Sequence, residues 1–164
     1  MSTSTKLVET TNDDNLLLTV YLSVEQRTTN NQQLLMVSRE IAIVQEWHNA
    51  LNTIDKEQLA ALVKKDVQIR GPRGREKGVH LLLEWVDRAQ VTLTPKRYFK
   101  KDSVVVVEEL GEWHDPQTGA ITGMQTVTSV FTLTDFLISG ISRYASLEEA
   151  LNTAGLNEEH EIKV

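Results

Sequence analysis

The chain has 164 residues, enough for one domain with a sizeable core. Its 17 Lys and Arg against 23 Asp and Glu give a formal charge of −6, which argues against a general nucleic-acid binder, and an aromatic content of 5% argues against a stacking platform for single strands. Cysteine is absent, which excludes disulfides and thiolate ligands, leaves His and carboxylate as the only metal ligands, and fits a cytoplasmic location.

The first residues, Met1–Lys6, lack a charged segment joined to an apolar one, so no secretory signal is expected. Apolar runs such as Val104–Val107 fall far short of the roughly 20 residues that span a bilayer. Residues 1–36 read as an extension, with a strand pattern over Leu16–Val24 and a polar tract over Thr28–Gln33. The domain proper is expected over 37–156, followed by a tail at 157–164.

From Ser38, which can cap a helix, Ile41, Val44, His48 and Leu51 recur at helical spacing. Asp55 can cap a second, short helix carrying Leu59, Leu62 and Val63. Asp66–Gly74 then reads as a short strand through Val67 and Ile69 that runs into a rigid Gly-Pro turn. A third helix over about 77–89 buries Val79, Leu82, Leu83 and Val86.

After Gln90 the period becomes two, with strands near 91–100, 103–114, 120–134 and 137–144. Turn-forming residues join them at Lys101-Asp102, Asp115–Gly119 and Thr134-Asp135. A closing helix starts at Ser146 with a capping box to Glu149 and ends at Gly155. Helices followed by an antiparallel meander make an α+β plan with the helices on one face of a sheet.

A five-residue Asp115–Gly119 loop would set His114 opposite Ala120, Glu109 opposite Gln125 and Val107 opposite Val127. Alternation then places Val105, Val107, Glu109, Gly111 and Trp113 on one face with Gln125, Val127, Ser129 and Phe131. A tight turn at Thr134-Asp135 adds Ile141 and Arg143 to it. Trp113 and Phe131 mark this face as the one beneath the helices. A buried Glu109 must meet Arg143, Gln125, water or a ligand, because an unpaired buried charge is prohibitive. It is either a polar anchor at the floor of a pocket or part of a self-satisfied network. The other face collects Val104, Val106, Leu110 and Met124.

Val44–Asn52, Leu59–Val63, Asp66–Pro72 and Gly78, with Ser129–Leu133 and Ile141–Tyr144, resemble in their order the nuclear transport factor 2-like superfamily over about 38–156. Within it the chain is similar to bacterial members of the SnoaL-like type. The resemblance implies a cone-shaped fold: a curved, mostly antiparallel sheet wrapped around a long N-terminal helix, with two further helices. It also implies a pocket inside the cone and a homodimer through the outer sheet face. Isomerase relatives place a tyrosine donor where this chain has Trp47 and a general-base aspartate where it has Gly71. Their second carboxyl would fall near Val127 or Ser129. None of these residues can do that work, so isomerase chemistry is not expected.

The ligand-binding residues expected from this reading are Trp47, His48, Trp85, Phe99, Glu109, Gln125, Phe131 and Arg143, around a small apolar molecule. The alternatives are a lyase, hydrolase or isomerase using Glu109 or His48 as acid or base, and a dimeric interaction module without a ligand. His80, Glu84 and Asp87 share a helix face but read as solvated, so no metal and no cofactor are expected. Arg70, Arg73, Arg75 and Lys77 surround the Gly-Pro turn, either to draw an anion to the pocket mouth or as a solvated loop balanced by Glu76.

Overall fold

The computed structural model describes residues 39–164. The expected strand at Leu16–Val24 and the Ser38 cap lie outside them. Helix α1 (39–52) buries Ile41, Val44, His48 and Leu51, the four positions at helical spacing, together with Trp47. Helix α2 (Lys56–Leu62) starts where Asp55 accepts a hydrogen bond from the Gln58 amide at 3.0 Å. Val63 belongs to strand rather than helix, because the backbone is already extended there. Strand β1 (Val63–Gly71) is therefore longer than Val67 and Ile69 suggested, and it turns at Pro72-Arg73 into β2 (Gly74–Lys77), a strand the pattern did not reveal. All four β2 residues are exposed, so it carries no alternation to read.

Helix α3 (Val79–Ala89) follows Gly78, whose φ of 121° suits glycine and whose missing Cβ would meet the His80 ring at 2.8 Å. The meander is β3 (Val91–Lys101), β4 (Val104–His114), β5 (Ile121–Thr134) and β6 (Leu137–Tyr144), each within a residue or so of its expected limits. Helix α4 (Leu147–Ala154) has the expected caps at Ser146 and Gly155. A 3₁₀ turn (Glu158–His160) leads to β7 (Glu161–Ile162). Among the described residues the sheet has seven strands, in the order β2-β1-β6-β5-β4-β3-β7. Only β1 and β6 run parallel, so the sheet is mixed but mostly antiparallel.

The expected β4–β5 register is off by two. Glu109 pairs with Val127, Val107 with Ser129 and Gly111 with Gln125, because the ladder shifts between Trp113 and His114. A slip of two residues preserves alternation, so the face assignment survives. Val105, Val107, Glu109, Ser129 and Phe131 are all buried. Helix α1 lies on this inner face and is tied to β3 by two contacts. Asn52 exchanges two 2.9 Å hydrogen bonds with the Leu93 backbone, and Glu40 pairs with Lys100 at 3.1 Å.

The helices do not all share one face. Helix α4 packs against Phe99, Val106 and Val130 on the opposite side, through Ala150 and Leu151. The described residues thus hold one helix more than the resemblance implies. Val106 is fully buried beneath α4 and is not free for a dimer contact.

The segment 157–164, expected as a tail, adds β7 to the edge of β3. Arg97 pins it through ion pairs to Glu158 at 2.5 Å and Glu161 at 2.9 Å. The hydrogen bond from Arg97, then that from Lys163, lowers the Glu161 carboxyl from an ordinary 4.5 to about 2. A carboxylate lowered in this way contributes stability that is complete above 4.5 and is lost as pH falls through about 2. Amide exchange at Ile162 is expected to accelerate across that window in acid, and Arg97→Gln to make it fast at neutral pH as well.

Candidate functional site

Three buried polar side chains meet between α1 and the sheet. His48 Nδ1 donates to the Val44 carbonyl one turn back at 2.9 Å, and Nε2 faces Glu109 Oε2 at 2.5 Å. Ser129 Oγ donates to Glu109 Oε1. A carbonyl only accepts, so Nδ1 carries a hydrogen, and a single proton bridges Nε2 and Oε2. Glu109 and Ser129 are fully buried and His48 is nearly so. Both carboxylate oxygens are engaged and both ring nitrogens are engaged, so the trio is self-satisfied.

An aromatic cluster covers it. The Phe131 ring lies edge-on to Trp47 at 5.0 Å and to His48 at 5.6 Å, and Trp47 lies edge-on to His48 at 5.2 Å. Beyond Trp47 opens a cavity of about 490 Å³, a size typical of small-molecule pockets. It lies between the β1–β2 turn, helix α3 and the inner face of the sheet. Trp47, Trp85 and Trp113, the only three tryptophans of the chain, all line it, with Leu82, Ile69 and Ile141. Arg143 also lines it, with its guanidinium carbon 4.8 Å from the Trp85 ring centre. Arg70 at the end of β1, Arg73 in the β1–β2 turn and Arg88 on α3 line it as well.

The expected residues therefore divide. Trp47, Trp85 and Arg143 line the cavity. His48, Glu109 and Phe131 come together behind Trp47, and none of the three lines it. Phe99 sits on the other side of the sheet in the α4 cluster, because it pairs with Val106 and shares its face. Gln125 is exposed, since the register shift moves it past Glu109 to Gly111. Glu109 thus meets neither Arg143 nor Gln125 by hydrogen bond. His80, Glu84 and Asp87 are exposed, and Asp87 pairs with Lys56.

Two participants are not among the expected site residues, Ser129 and Trp113. The signal that finds both is alternation, which puts Ser129 on the face of Glu109 and aims Trp113 beneath the helices.

Trp113 depends on Gly111. A Cβ there would lie 3.0 Å from Trp113 Cη2, 3.1 Å from Cζ3 and 3.3 Å from the Gln125 carbonyl. The indole rests on the bare strand. Gly111→Val is expected to displace it, costing about 1–3 kcal/mol of stability. Any cavity ligand should bind more weakly to this variant in calorimetry.

No family model matches this sequence, and no curated protein matches it. Solved structures do match. A nuclear transport factor 2-like protein of unknown function from Cytophaga hutchinsonii aligns at 14% identity with a TM-score of 0.56, covering 68% of this chain and 93% of the other. A hypothetical protein with a ketosteroid isomerase-like fold from Catenulispora acidiphila, in complex with trimethylamine, aligns at 18% and 0.55, covering 71% and 95%. TerC co-crystallised with polyporic acid aligns at 15% and 0.58, covering 68% and 95%. The chain has the nuclear transport factor 2-like α+β fold, as its motif order implied. Among the described residues no helix is long and apolar enough to cross a membrane.

Proposed function

We propose that this chain binds a small, largely apolar molecule in the cavity walled by its three tryptophans, with the sheet curving round α1 as a cone. The observation that carries the reading is the separation of cavity from acid–base pair. The cavity wall is aromatic and aliphatic at its centre, whereas His48 and Glu109 are buried behind it and already satisfied. A general base must reach the proton it removes, so this arrangement supports binding over turnover. Two of the fold relatives were crystallised with small molecules, one in complex with trimethylamine and TerC with polyporic acid, which is consistent with it.

The absence of cysteine supports a cytoplasmic setting. A homodimer through the outer sheet face belongs to the same reading, supported by Leu110 and by Met124, which is 61% exposed. Light scattering that returns a monomer mass removes the dimer from the proposal.

Thermal shift against a panel of apolar aromatic ketones tests the binding. A ligand at a hundredfold excess over its Kd adds about 2.7 kcal/mol to stability and raises Tm accordingly. A panel without a single reproducible shift overturns the proposal.

A further inference from the structure

The cavity carries a charge pattern that an apolar ligand alone leaves unexplained. Among the described residues four arginines line it, Arg70, Arg73, Arg88 and Arg143, against one acid, Glu76. The whole chain has the opposite sign, at −6, so the positive field is concentrated here against the average. Three of these arginines are exposed and could be solvated. Arg143 is different: its Nε is buried with no hydrogen-bond partner among the described residues. Burial holds its guanidinium below the ordinary value, opposed by the field of Glu109. Glu109 is not its close counter-ion: the carboxylate bonds His48 and Ser129, and Arg143 forms no ion pair with it.

The second buried polar atom without a partner among the described residues is Trp47 Nε1, on a fully buried indole that lines the same cavity. Both atoms are donors, and neither side chain has an acceptor to offer. Buried donors are normally satisfied, but neither atom has surface open to a water-sized group; it is the Arg143 guanidinium, lining the cavity without an ion pair among the described residues, that asks for a ligand bringing acceptors. Beside them stand the broad apolar faces of Trp85 and Trp113. Arg143 lies against the Trp85 ring, which fixes its plane in advance of any ligand.

Resting on the binding proposal above, we infer that the natural occupant is a planar aromatic carboxylate. Its rings pack on Trp85 and Trp113, and its carboxylate pairs with the Arg143 guanidinium. Arg70, Arg73 and Arg88 draw the anion to the cavity. The donor-only chemistry of the wall disfavours ammonium ions, which bring hydrogens and positive charge rather than acceptors.

Calorimetric titration of the full chain with 2-naphthoate, its neutral amide 2-naphthamide, and naphthalene tests this. Naphthoate is expected to bind at least about tenfold more tightly than naphthamide. Arg143→Gln should abolish that preference, while naphthamide binding persists. The comparison on the unaltered protein decides the matter even if a variant fails to fold. Naphthamide binding as tightly as naphthoate, or naphthalene alone binding, overturns the carboxylate and leaves cavity binding standing. Silence from all three probes overturns both.

Discussion

Glu109→Ala is expected to lower the free energy of unfolding by about 3–5 kcal/mol, the loss that follows removal of one member of a buried ionisable pair. The carboxylate accepts from Ser129 and shares a proton with His48, and all three groups are buried. Without it, an imidazole nitrogen and a hydroxyl stay in a dry interior with no partner, and the helix loses its polar link to β4. Glu109→Gln keeps the volume and part of the bonding, so its loss should be smaller, about 1–2 kcal/mol. The double replacement His48→Leu with Glu109→Leu should recover much of the loss, because it removes both polar groups together. Urea unfolding measures all of these. A Glu109→Ala protein within about 0.5 kcal/mol of the parent, the range of a neutral surface change, would show that the trio does not hold α1 to the sheet.

Phe131→Ala should be comparably damaging, at about 3–5 kcal/mol. The ring is fully buried and touches Trp47 and His48 edge-on, so its removal opens a void under both. The two losses differ in kind. Phe131→Leu restores most of the volume and should bring the loss under about 1.5 kcal/mol, whereas no apolar residue at 109 restores the partner of His48. Because Phe131 buttresses Trp47 at the cavity wall, the alanine variant should also bind cavity ligands more weakly. Unchanged ligand affinity in a folded Phe131→Ala protein would separate the cluster from the cavity.

Much of the fold could be read from periodicity. Ile41, Val44, His48 and Leu51 announced α1, and the switch to period two after Gln90 announced the four long strands. Alternation also named the inner face correctly, through a hairpin whose register was wrong by two, because a shift of that size leaves every side chain on its own side. Strand β2 stayed hidden because it is exposed on both faces. The side taken by α4 stayed hidden too, since its sequence says which stripe is apolar but not which sheet surface receives it. That ambiguity misplaced Phe99, which serves α4 rather than the pocket.

The site was less legible than the fold. His48 and Glu109 were each singled out, but nothing along the chain joins positions 61 residues apart. Their contact depends on how α1 sits across the sheet, a tertiary fact. Arg143 is one of the partners expected for Glu109 from their shared face, and the structure instead lays it against Trp85. Opposite charges on one face are candidates for pairing, yet the partners that reach this carboxylate are a serine and a histidine.

The two ends of the strand order have a bearing on how this protein behaves when crowded. Among the described residues, the sheet terminates on one side in β2, four residues carrying Arg75, Glu76 and Lys77, and on the other in β7, two residues flanked by Lys163. Short, charged borders of this sort give a neighbouring molecule's backbone little to zip onto, which guards a seven-stranded sheet against fibrillar growth.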